Sequence, residues 1–93
     1  MWFLTIKAIP NPHSVNTSGF ASATVQTWVN FPMLDGAEQL ARYYLEKEGW
    51  KVAEVEFYQE VRFEQYLETD EGFQFAEEAH KDGISFLIQT DLM

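Results

Sequence analysis

Apolar and polar residues alternate from the start of the chain: Trp2, Leu4, Ile6 and Ala8 interleave with Phe3, Thr5, Lys7 and Ile9. That period of two, in residues that favour strands, predicts a first strand. Pro10 and Pro12 stop it, and PNPHSVNTSG reads as a turn-rich loop. Alternation resumes from Phe20 to Phe31, with Ala21, Ala23, Val25, Thr27 and Val29 on one face and Ser22, Thr24, Gln26 and Trp28 on the other. A long second strand is expected there, ended by Pro32.

The period then changes. Ala37, Leu40, Ala41, Tyr44 and Leu45 recur at the 3.6-residue spacing of an amphipathic helix, and Glu38, Arg42 and Glu46 line its far side. Asp35 followed by Glu38 resembles an N-cap with its capping-box partner, and Gly49 supplies the stop. The segment KVAEVEF alternates again, with Ala53, Val55 and Phe57 expected inward, so a third strand starts near Val52. Residues 58–68 fit either a further strand or a helical turn. Thr69 or Asp70 is placed to cap a second helix carrying Phe73, Ala76, Ala79 and His80, which Gly83 closes. ISFLIQT is apolar on both faces, as an internal strand should be.

These elements predict one α+β domain spanning residues 1–93. Two helices would pack on one face of a mostly antiparallel sheet of four to five strands. With an extra strand before the second helix, residues 20–93 follow the ferredoxin-like order βαββαβ with an added N-terminal strand. The other sheet face would then show Trp28, Leu87, Phe3 or Ile9, and Tyr58, more apolar than a solvated face should be.

Composition supports a folded chain: 46% of residues are apolar, with eight Phe, four Tyr and three Trp. Charge adds a second constraint. Fifteen acids oppose six Lys and Arg, a net −9, and residues 1–34 hold no acid and one Lys, so residues 35–93 carry −10. A field of that sign repels phosphate backbones and anionic lipid, which excludes direct nucleic-acid binding and membrane association as expectations and leaves an acidic nucleic-acid mimic as a minor reading. There are no cysteines, so disulfides, thiolate metal sites and a Cys nucleophile are excluded. The apolar start MWFLTIKAI lacks a basic lead and a cleavage pattern and is too short to span a bilayer, so a cytoplasmic location is expected.

Candidate chemistry is sparse. Glu77 and His80 stand three apart, as in some carboxylate metal sites, but a di-iron arrangement needs two such pairs and two more Glu. His80 with Lys81 also suits the negative end of a helix, which is the favoured reading. His13 lies in the loop, and His13, Glu77 and His80 form the one constellation available to an enzyme or a metal-binding protein. No Ser sits in a nucleophile elbow and no Gly-rich loop cradles phosphate, so no catalytic residue, metal or cofactor is assigned. Trp28 sits on the polar register of its strand, and burial by a partner or a second copy, or an ordinary place inside its own domain, would account for it.

MWFLTIKAI, ARYYLEKEGW and DEGFQFAEEAHKDG together resemble a group of short bacterial proteins of unknown function. The resemblance implies a bacterial, cytosolic, self-contained domain and carries over no site residue. The resulting expectation is a non-enzymatic binding protein, a homodimer or a protein with another protein partner. It would act through the apolar sheet face at Trp28, Tyr58 and Leu87 or through the 10–19 loop.

Overall fold

The computed structural model describes residues 1–92. They form β1 (Trp2–Pro10), β2 (Phe20–Val29), α1 (Leu34–Lys47), β3 (Trp50–Glu60), a 3-10 turn (Phe63–Gln65), α2 (Phe73–Asp82) and β4 (Ile84–Leu92). The four strands make one antiparallel sheet in the order β3-β1-β2-β4. The α+β class follows from this, but the sheet is not the ferredoxin-like arrangement expected. No strand lies between β3 and α2: Val61 adds a last rung to the β1–β3 ladder, its N–H donating to Met1 O at 2.9 Å, and the 3-10 turn follows. The element order is therefore ββαβαβ, and the N-terminal strand is central rather than added.

The helices do not share a face. Alternation in β1 and β2 places Leu4, Ile6, Ala8, Val25 and Val29 on a first face, where Ala37, Ala41 and Leu45 of α1 are buried against them. Phe3 and Trp28, one residue out of phase with Leu4 and Val29, face the other way and pair across the strands. There they meet Ala76, Ala79 and Phe75 of α2 and Phe63 and Tyr66 of the turn. An apolar patch of that size needs a second layer, and the chain supplies its own.

Two local expectations also change. Neither helix has a side-chain N-cap: α1 starts at Leu34 with Asp35 inside its first turn, and α2 starts after Gly72. Asp70 instead accepts the Leu67 N–H at 2.8 Å, holding the loop that delivers the chain to α2. In β3 the register slips twice, leaving Glu56 between the partners of Thr5 and Ile6, and Ala53 between those of Lys7 and Ala8. Each extra residue inverts the inward–outward sense, as a bulge does. Val52 and Val55 therefore face the first layer, Ala53 is exposed, and Phe57 stands on the second face.

Candidate interaction surface

Trp28 is the anchor of the second layer and not a docking residue. Its ring stacks on Phe75 at 5.2 Å between centroids and packs beside Phe3 at 5.0 Å. Its Nε1–H donates to the Tyr66 hydroxyl at 3.0 Å, which satisfies the polar tip of a side chain only 3% exposed. Gly72 is tight against it: a Cβ there would lie 3.1 Å from the indole. Leu87 is half-buried in the same cluster. Tyr58 is 56% exposed but lies on the first face opposite Leu4, with its ring 6.3 Å from that of Trp2. The three do not share a surface.

His13, Glu77 and His80 do not converge. His13 is exposed in the loop beyond the end of β1. His80 stacks on Phe63 at 4.6 Å, and its carbonyl accepts from the side chain of Asn30, just past the other end of the sheet. At about 3.3 Å per strand residue, the ten residues of β2 separate these ends by roughly 30 Å. Glu77 faces solvent at 3.8 Å from Lys81, one turn along α2. Among the described residues, no three His, Asp or Glu side chains gather in a way that would hold a metal ion.

The 11–19 loop is fastened to the C-terminal end of α1. Asn11 N–H and the buried Thr17 hydroxyl both donate to Gly49 O at 2.9 Å, and Gly49 takes φ +93°, a left-handed conformation suited to glycine. A cavity of about 520 Å³ opens beside it, lined by Pro10, Pro12, Ser14, Ser18, Phe20 and neighbours, with no charged side chain in its wall. The acids are spread over α1, β3, the 60–72 connection, α2 and the end of β4, so no single face carries them. Among the described residues no helix is long and apolar enough to cross a membrane.

The surface that sequence reasoning missed is β4. Its first-face residues are Ile84, Phe86, Ile88, Thr90 and Leu92, in register with Val29, Thr27, Val25, Ala23 and Phe20. α1 covers β1, β2 and β3, but its cover stops short of this strand. Ile84 and Phe86 are half-buried at its margin, Ile88 is 36% exposed and Leu92 77%. β4 is also an edge strand. ISFLIQT therefore has the composition of a sheet interior and the position of a sheet edge, and only the composition could be read in the sequence.

No family model matches this chain, and no curated protein or solved structure matches it either.

Proposed function

We propose that this is a non-enzymatic interaction protein that works as a homodimer, docking through the uncovered β4 side of its first sheet face. One observation carries the reading: a strand apolar on both faces lies at an edge, with one face under α2 and the other open from Ile88 to Leu92. Edge strands that stay solvated are blunted by charge, proline or bulges, and Ile84–Thr90 contains none of these. A stripe of this kind marks a contact surface. The dispersed acids then keep the rest of the surface soluble and repellent, so that copies meet where charge is lowest.

The test is sedimentation velocity over a concentration series, on the native chain and on Ile88→Lys. The native chain is expected to sediment as a dimer. Ile88→Lys is expected to sediment as a monomer with an unchanged circular dichroism spectrum, since Ile88 contributes little to the monomer's own core. A native chain that stays monomeric at the highest soluble concentration sinks the proposal.

A further inference from the structure

Two copies that meet at β4 have two ways to do so: face against face over the stripe, or edge to edge along the strand. We infer that β4 pairs antiparallel with β4 of a second copy, centred on Ile88, so that one sheet runs through both chains. The inference rests on the dimer reading above and specifies its geometry.

Backbone direction comes first. Asn30 N–H donates to Gly83 O at 2.8 Å, and the β2–β4 register, extended one step beyond Val29 and Ile84, sets these two residues opposite each other. That one bond, with the Gly83 N–H spent on Ala79 O at the end of α2, marks a hydrogen-bonded position, and in an antiparallel ladder such positions alternate with non-bonded ones. Ser85, Leu87 and Gln89 therefore turn their N–H and C=O groups toward β2. Ile84, Phe86, Ile88 and Thr90 turn theirs to the outer side, where the described residues offer no strand. The residues with unpaired backbone are the same ones whose side chains make the open stripe, so a single incoming strand would satisfy both.

Symmetry then selects the register. Residues opposite one another in a sheet point to the same face, so a two-fold axis normal to the sheet keeps the two stripes side by side. Ile88 is the midpoint of Ile84–Leu92, and centring there uses the whole strand. Ile84 then faces Leu92, Phe86 faces Thr90 and Ile88 faces its own copy. Asp91, the one charge in the strand, faces Ser85 rather than another Asp91.

The opposite edge argues for the same choice. β3 carries Glu54, Glu56 and Glu60 and two bulges, so self-pairing there would set acid near acid along an uneven ladder. For two chains of charge −9, the β4 edge brings the fewest like charges together.

Because the chain has no cysteine, single-cysteine variants report the register directly. A hydrogen-bonded antiparallel pair has Cα atoms about 5.5 Å apart, within disulfide range. Ile88→Cys is expected to oxidise to a covalent dimer, whereas Gln89→Cys, opposite Leu87 and out of register with its own copy, is expected to stay largely uncrosslinked. A second variant, Ile88→Pro, removes an outward N–H and replaces the isoleucine with a smaller apolar ring. It is expected to fold as the native chain does and to dimerise roughly tenfold or more weakly. A native chain that remains monomeric overturns both the dimer and this geometry. A native dimer in which Ile88→Cys fails to crosslink and Ile88→Pro still dimerises overturns edge pairing alone, leaving a face-packed dimer. A monomer whose β4 amides become protected from hydrogen exchange only on adding a different protein would put a foreign strand in place of the second copy, and also overturns it.

Discussion

On the first face α1 lays Ala37, Ala41 and Leu45 over an aliphatic floor drawn from three strands, all deeply buried. On the second face α2 brings only Ala76 and Ala79 to full burial, and the contact is made by an aromatic group of Trp28, Phe75 and Phe3. The first core is continuous with the centre of the sheet. The second is a local cap, ten helical residues and a 3-10 turn gathered on one indole. Buried apolar surface sets how much of the molecule must open together, so the first face is expected to belong to the global unfolding unit and the second to a smaller one that opens alone.

The sharpest way to break this contrast is a pair of truncations read by denaturant melts and residue-resolved hydrogen exchange. Trp28→Ala is expected to cost about 3–5 kcal/mol in the packing it removes, with the largest loss of protection in residues 63–83 and lesser change in α1 and β1. Leu45→Ala is expected to cost about 2–5 kcal/mol, with protection falling across the whole sheet. Equal loss of protection everywhere in both variants would show a single cooperative core.

A smaller effect, of opposite sign, tests the first face alone. The Thr27 hydroxyl is fully buried with no hydrogen-bond partner among the described residues, on a face otherwise lined by apolar groups. Thr27→Val keeps the shape and removes the unpaired hydroxyl, and is expected to stabilise by about 1 kcal/mol in a urea melt. A destabilised variant would mean the hydroxyl has a partner. The smallest effect concerns the surface of α2. Lys81→Ala removes an exposed ion pair with Glu77 and is expected to change stability by less than about 0.5 kcal/mol, whatever the salt concentration.

Much of this architecture is written in local pattern. The strands around Ile6 and Val25 show as alternation, and α1 shows as the spacing of Ala37, Ala41 and Leu45, because each pattern is set by the residue's own element. What is not legible depends on partners distant in sequence. The bulges at Ala53 and Glu56 reverse the facing of Phe57, and they exist only in the pairing with β1. The face taken by α2 is decided by the path of the chain after Val61, not by the period of Phe73, Ala76 and Ala79. Asp35 and Asp70 stand where caps are sought, yet the backbone starts each helix elsewhere. At the candidate surface, the apolar character of ISFLIQT is visible in the sequence, but its place at an edge is not. Trp28 is likewise visible as an oddity of its strand, while the ring that stacks on it comes from α2.

The two slips in β3 matter beyond its own side chains. A sheet that accepts new strands on both edges behaves as a difunctional monomer, and such units polymerise. Here one edge carries a single charge while the other has two bulges and is lined with glutamates. In polymer terms the proposed pairing makes the chain monofunctional: joining two copies would consume the reactive end of each, and growth would stop at two.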